Sequence, residues 1–434
     1  MSLTGDLITL IRSKQVRGED LELASLCLLD TVASACAGSA TPVGRLLRDW
    51  AEHFPRDRKR DALLMGALTH ITETDDLHRA SVTHPGCVVV PAILALARPL
   101  SASGSDLLRA MLCGYEAMCR IGSAVGPAHY RVWHNTATCG PFGSAMASAT
   151  LLGLDDTQTR DALGNAGTQA GGLWQFLEEG AMSKHLHAGR AAESGMLAAE
   201  LAAHGFTGPA AILEGEKGFF AGACPDPAPE RILEEAGAEW QLTQTSIKPW
   251  PSCRHTHPVI DCALELHGLL HGAAISAVEI QSYQAALDIC DCPAPETEYQ
   301  AKFSLHHTAA TALLDGRVGL DSFDPDARAR SLELCAKTTV QAKDPFHARY
   351  PDAWGASLSV TTAEGEVLQT ERRDCKGDPE LSLDADEMRA KALDLMRSGG
   401  LDHAEAVRLS DDILTLPHQA MPPNLFDRYY QLLA

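Results

Sequence analysis

Apolar positions recur at helical spacing through roughly the first 250 residues. Leu21, Ala24, Leu28, Val32 and Ala35 make one stripe, and Gly38 reads as its stop. Ser105-Asp106 opens a second helix whose apolar face holds Leu108, Met111, Leu112, Tyr115, Met118 and Ile121. Asp155 and Gln158 have the spacing of a capping box. Small-residue runs such as GSAMASAT (143–150) fit close helix approach rather than a linker. The glycine-rich GNAGTQAGG (164–172) lacks a preceding strand and a following Lys-Ser/Thr, so it reads as a tightly packed helix and not a phosphate loop.

After about residue 254 the period changes to two. In AVEIQSYQ (277–284), Val278, Ile280 and Ser282 alternate with Glu279, Gln281 and Tyr283, as in a half-buried strand. SLSVTTAEGEVLQTERR (357–373) predicts a hairpin turning at Glu364-Gly365, and KTTVQAKD (337–344) another strand. Helices resume with Asp384 and Glu387 as a capping box, and a last helix carries Val407, Ser410 and Leu414. The fold expected is mainly α with an α+β second domain. Residues 1–254 and 396–434 form a large all-helical bundle, and residues 255–395 a smaller α+β lid domain.

Composition narrows the function. The chain has 434 residues, 36 basic against 57 acidic, for a net charge of −21. Such a surface repels nucleic acid and anionic membranes. The longest apolar run, Cys87–Ala97, is interrupted by Pro91 and too short for about 30 Å of hydrocarbon, so a soluble protein is expected. Thirteen scattered cysteines without C-x-x-C point to reduced thiols and a cytoplasmic setting.

Against this acidic background a few stretches gather basic groups. ETDDLHRASVTHPG (73–86) crowds Glu73, Asp75, Asp76, His78 and His84 ahead of a His-Pro-Gly break. Its histidines lie six apart, without H-x-x-x-H spacing, so no metal site is expected. MSKHLHAGRAA (182–192) places Lys184, His187 and Arg190 at i, i+3, i+6, read as one cationic side of a helix start. SIKPWPSCRHTHPVID (246–261) brings Lys248, Cys253, Arg254, His255 and His257 to the junction where the helical pattern ends. HYRVWHNTATCGPFG (129–143) adds His134, and KFSLHHTAATALLDG (302–316) adds His306 and His307. Each alone also fits a solvated charged face or a core histidine.

Together with GFTGPAAILEGEKGF (205–219) and KGDPE (376–380), these stretches make the chain resemble the MmgE/PrpD family. That family includes 2-methylcitrate dehydratases, cis-aconitate decarboxylases and an iminodisuccinate epimerase. The resemblance implies an active site in a cleft between the two domains, a homodimer, and no required metal or organic cofactor. His84 matches the family's HPG/HPS histidine, and Glu73, Asp75 and Asp76 its acidic run, with Glu73 where the decarboxylases carry aspartate. His134, Lys184 and Lys248 match a further histidine and two lysines. Cys253 stands where the decarboxylases have histidine, and His307 where they have tyrosine. Both departures argue against simple cis-aconitate decarboxylation.

The substrates so implied are small anionic di- or tricarboxylates, with negative charge building beside a carboxylate during reaction. His84 is expected to transfer the proton, oriented by Asp75 or Asp76. Lys184 and Lys248 would bind carboxylate, with Lys184 also a candidate base, and His134 would assist the leaving group or return a proton. Glu73, His187, Arg190, Cys253, Arg254, His255 and His307 complete the expected substrate contacts. One charge pair at 4 Å is worth roughly 4 kcal/mol at an effective dielectric of about 20, so a trianion needs two or three cationic partners here. The leading reaction is hydro-lyase, loss of water from a 2-methylcitrate- or citrate-like acid. Epimerisation or racemisation of an iminodisuccinate-like acid comes next, then decarboxylation and a catalytically silent carboxylate binder.

Overall fold

The computed structural model describes residues 2–100, 102–237, 239–419, 421–422 and 425, with the side chains of Arg98 and Pro99 left out. The end of the expected helical domain, 423–424 and 426–434, lies outside the described residues. The chain divides into two compact units. The first comprises Met1–Ile71, Asp75–Thr245 and Asp384–Ala434; the second comprises Thr72–Thr74 and Ser246–Leu383. The sequence pattern puts the borders after residues 254 and 395. In the structure they follow Thr245 and Leu383, because helix Ala385–Ser398 packs on helix Gly18–Ser39 and pairs Lys391 with the buried Asp30 at 2.6 Å.

The first unit is helical. Helix Gly18–Ser39 is buried along nearly its whole length. It is long and apolar enough to cross a membrane by composition, yet 78% of its apolar window is covered by the rest of the protein. Gly38 does not stop this helix. A Cβ there would sit 1.9 Å from the Leu68 carbonyl oxygen, so the glycine serves close contact. Helices Arg58–Thr69, Gly86–Leu100, Gly104–Ala124, Asn135–Leu151 and Ser183–Ala203 pack together, most extensively through the last two. A Cβ on Gly195 would lie 1.9 Å from Ser144 Oγ, and Ser144 Oγ donates to the Ala191 carbonyl at 2.6 Å. The glycine-rich stretch expected as a helix is helical only to Gly167. The capping boxes at Asp155/Gln158 and Asp384/Glu387 are both formed.

The second unit holds a four-stranded mixed sheet with β1 (Ile275–Ser282), β2 (Thr338–Ala342), β3 (Ala356–Thr362) and β4 (Val367–Arg372) in the order β2-β1-β3-β4. β1 runs parallel to β2 and antiparallel to β3, and β3–β4 is the expected hairpin, with Gly365 at φ +87° in its turn. Val278, Ile280 and Ser282 are buried, and Val278 and Ile280 face Val360 and Leu358 in register. Helix His257–Leu270 packs on β3 and β4. The fold is therefore mainly α with a small α+β unit, the class the residue pattern predicts. Of the thirteen cysteines, twelve are buried and Cys292 is half-buried.

Candidate functional site

The helical unit gathers its chemistry at helix ends. Helix Arg58–Thr69 stops at His70, which is fully buried. His84 lies just before helix Gly86–Leu100, His134 caps helix Asn135–Leu151, and Lys184 sits in the first turn of helix Ser183–Ala203. Helix ends expose unpaired backbone groups and change chain direction, so side chains from several helices can converge there. Asp75, Asp76, His84, His134 and Lys184 are all buried in this unit, and His187 is partly so.

His84 is held from several sides. Its Nδ1 donates to the Asp76 carbonyl oxygen at 2.6 Å, and its backbone N–H donates to Thr136 Oγ1 at 3.1 Å. A carbonyl only accepts, so Nδ1 carries the hydrogen and Nε2 lies on the opposite edge of the ring. Asp75 Oδ2 lies 3.5 Å from His84 Nδ1 and 2.6 Å from His70 Nδ1. Asp76 accepts from the Gly86 N–H at 2.9 Å and from the Tyr115 hydroxyl at 2.7 Å. Burial foremost raises the Asp76 carboxyl to about 7, Tyr115 opposes the shift, and Asp75 adds to it. Gly86 is required by this packing, since a Cβ would meet Thr31 Oγ1 at 2.6 Å and Asp76 Oδ1 at 2.9 Å.

Beside this pair two imidazoles, His134 and His187, are held neutral. Burial, then the charges of His70, Lys184, His187 and His84, drive His134 well below the usual histidine range. His187 is lowered to about 4 by burial, then by His70 and Lys184. The His134 and His187 Nδ1 atoms are 3.4 Å apart, and Trp174 and Phe176 pack on the two rings. His70, Asp75 and His84 carry metal-ligand atoms within 4.8 Å of one another. They do not fit a metal site well, because both histidine Nδ1 atoms that face Asp75 are committed as hydrogen-bond donors.

Arg190 is not brought into this cluster. It is exposed and paired with Glu193. Six helical residues advance about 600°, which leaves Arg190 about 120° round the helix from Lys184. The i, i+3, i+6 spacing therefore does not share one face.

In the second unit Lys248 is fully buried, with Nζ 3.2 Å from Glu73 Oε2. Glu73 has φ +59°, a conformation unusual for a side-chain-bearing residue. Arg254 pairs with Asp378, which also accepts from Ser246 Oγ at 2.7 Å and the Cys375 N–H at 2.9 Å. Arg254 Nη1 is buried without a hydrogen-bond partner among the described residues. His255 stacks on Trp354 at 4.4 Å, bonds Tyr283 through Nδ1 at 2.7 Å, and is lowered to about 3 by burial, then by Arg254 and Lys248. Cys253 lies beside Cys290, whose thiol burial pushes far up. His307 departs from the expected substrate contacts. Its Nε2 bonds the Ser322 carbonyl and its Nδ1 the Ser331 hydroxyl, each at 2.8 Å, so both nitrogens serve packing.

Three participants escape the sequence reading: His70, Tyr115 and Asp378. Tyr115 appears there only as part of an apolar stripe, and Asp378 only within KGDPE. Asp378 lies 124 residues from Arg254, a pairing no local pattern displays.

Comparison with known proteins bears on the whole chain. Residues 5–232 match the MmgE/PrpD N-terminal domain and residues 250–415 the MmgE/PrpD C-terminal domain. A cis-aconitate decarboxylase-like protein, oryM, of Aspergillus oryzae is 28% identical, covering 95% of this chain and 93% of its own. The Homo sapiens cis-aconitate decarboxylase is 28% identical over 80% of this chain and 77% of its own. The Mus musculus cis-aconitate decarboxylase is 30% identical over 72% and 66%. These relatives are named for loss of carbon dioxide, the reaction the residue departures at Cys253 and His307 rank behind dehydration and epimerisation. With both domain models matched in order, this chain belongs to the MmgE/PrpD family of enzymes.

Proposed function

We propose that the protein is a lyase for a small polycarboxylate of the cis-aconitate type, with decarboxylation as its reaction. The observation that carries this reading is the buried set of Lys184, His84, Asp75, His70 and His134 in a chain of net charge −21. Lys184 supplies a desolvated cation for a substrate carboxylate. As carbon dioxide leaves, the electron pair of the broken C–C bond shifts into the carbon skeleton. His84, turned by the Asp76 carbonyl so that Nε2 faces away from its anchor, delivers one proton to carbon and regains one from water. Asp75 stabilises the cationic ring before transfer. The second unit holds a cation of its own, Arg254, whose Nη1 is buried without a hydrogen-bond partner among the described residues. The decarboxylase relatives, which this chain matches along most of its length, support the choice of reaction.

Dehydration is the second reading. It is favoured by Cys253 and His307 standing where the decarboxylases carry other residues. It is also favoured by His134 and His187, which stay neutral and give a second acid–base pair of the kind water loss requires. Incubating the purified protein with cis-aconitate, citrate, 2-methylcitrate and iminodisuccinate in D2O separates the readings. Carbon dioxide release with one deuterium placed on the product carbon is expected. A new C=C absorbance from a hydroxy acid without gas would replace the proposal with dehydration, and deuterium uptake into unchanged substrate would replace it with epimerisation.

A further inference from the structure

Resting on the polycarboxylate reading, we infer that His70 is itself a substrate-contacting residue, its Nε2–H donating to a carboxylate of the bound acid while Asp75 holds the other side of the ring. His70 closes a helix whose preceding residues, Leu63 to Thr69, are all buried. It looks like one more core position. Its hydrogen bonding says otherwise. Nδ1 is engaged with Asp75 Oδ2 at 2.6 Å, while Nε2, equally buried, has no partner among the described residues. Buried polar atoms are nearly always paired, so an orphaned nitrogen calls for a ligand or water to complete it.

The surroundings indicate which ligand. Nδ1 and Nε2 lie on opposite sides of the ring, so the Asp75 bond turns Nε2 away from that carboxylate. The His84 ring meets the His70 ring edge-on at 4.7 Å, and the His134 ring lies nearly parallel at 5.8 Å. The charged and titratable groups acting here are Asp75, Asp76, His84, His134, Lys184 and His187. Among the described residues only Nδ1 has an acceptor; a carboxylate arriving at Nε2 requires an N–H on that nitrogen too, so the second proton comes with the ligand and the ring bridges Asp75 and the carboxylate with both nitrogens donating. His70 combines a buried nitrogen that lacks a partner among the described residues with a carboxylate on its opposite edge. A brace for Asp75 alone would use only Nδ1.

The full-length protein and propane-1,2,3-tricarboxylate, a non-reacting probe, test this. Calorimetry at pH 7.5 in buffers of different ionisation enthalpy should show uptake of about one proton on binding, a charge-assisted bond being the cause. His70→Asn keeps an N–H for Asp75 and removes Nε2. It should abolish that uptake and weaken binding about ten- to a hundredfold, as loss of a hydrogen bond to a charged group does. Proton uptake unchanged in His70→Asn overturns the inference. Should that variant not fold, nitrogen-15 NMR of histidine-labelled wild type decides: His70 with both nitrogens protonated in the complex is expected, and a neutral ring overturns the assignment. If the wild type binds no polycarboxylate at all, it is the functional reading that fails. Binding without a change at His70 sinks only this inference.

Discussion

At the scale of single residues, the site depends on which edge of each ring is occupied. His84 spends Nδ1 on a backbone carbonyl, so its chemistry belongs to Nε2. His84→Ala should reduce kcat by about 10²–10⁴-fold, the usual range for a lost proton-transfer group, with thermal stability near wild type because the ring stands at an element boundary. Full turnover on a polycarboxylate that the wild type consumes would remove His84 from the mechanism. Asp76 makes a separate prediction. Its buried carboxyl titrates near 7 in the folded protein against 3.8 unfolded. Below 3.8 both states hold the proton. As pH rises from there, the unfolded chain ionises first, so stability falls until about pH 7 and then levels. A shift of about three units corresponds to at most about 4 kcal/mol. Asp76→Asn removes this dependence. Urea midpoints for variant and wild type should therefore differ more at pH 4.5 than at pH 7.5, the variant being relatively worse off at the lower pH. An identical gap at both would refute the assignment. Much of this cluster was legible because Asp75, Asp76 and His84 fall within ten positions of one another. His70 was not, since a lone histidine after an apolar run has the pattern of core packing. Nor was the fate of His307, whose two partners lie fifteen and twenty-four residues on.

At the scale of elements, glycines set how closely the helices carrying these side chains approach. Helix Ser183–Ala203, which bears Lys184 and His187, contacts helix Asn135–Leu151 through Gly195, and helix Arg58–Thr69 through Gly189. A Cβ at position 195 would meet Ser144 Oγ and the Pro141 carbonyl oxygen at 1.9 and 2.3 Å. Gly195→Ala should cost about 1–3 kcal/mol from overpacking. It should also lower kcat, because pushing the helices apart moves Lys184 relative to His134. A variant with unchanged unfolding midpoint and activity would show the interface to be softer than its geometry. Helix period and capping residues are local signals, and they located these elements to within a few residues. Whether Gly38 ends a helix or touches one is a tertiary matter. So is the side on which Arg190 emerges, where a correct helix still yields a wrong face if the angle per residue is not counted.

At the scale of the molecule, exposed apolar side chains cluster around the segment that covers His134. Val132, Leu173, Met182 and Leu186 are each 47–55% exposed, and Trp133 pairs with Leu173. Such patches commonly mark interfaces, and the homodimer expected from family resemblance would cover this one. Light scattering should return twice 46.4 kDa for the wild type, with Leu173→Asp shifting the balance toward monomer; a wild-type monomer would exclude the arrangement. The sheet and bundle were readable from the period of the sequence, while an exposed apolar patch assembled from separate segments has no period to read.

The twelve buried thiols have a practical consequence. Burial pushes those of Cys27, Cys36, Cys87 and Cys139, among others, above the ordinary thiol range. An alkylating reagent acts on thiolate, so the native protein should react at one position, Cys292, until some part of it opens. The mass added over time then becomes an internal gauge of opening, read peptide by peptide. Cysteines on the central helices should label at the rate of global unfolding, and early modification of Cys27 or Cys139 would mean that the bundle breathes.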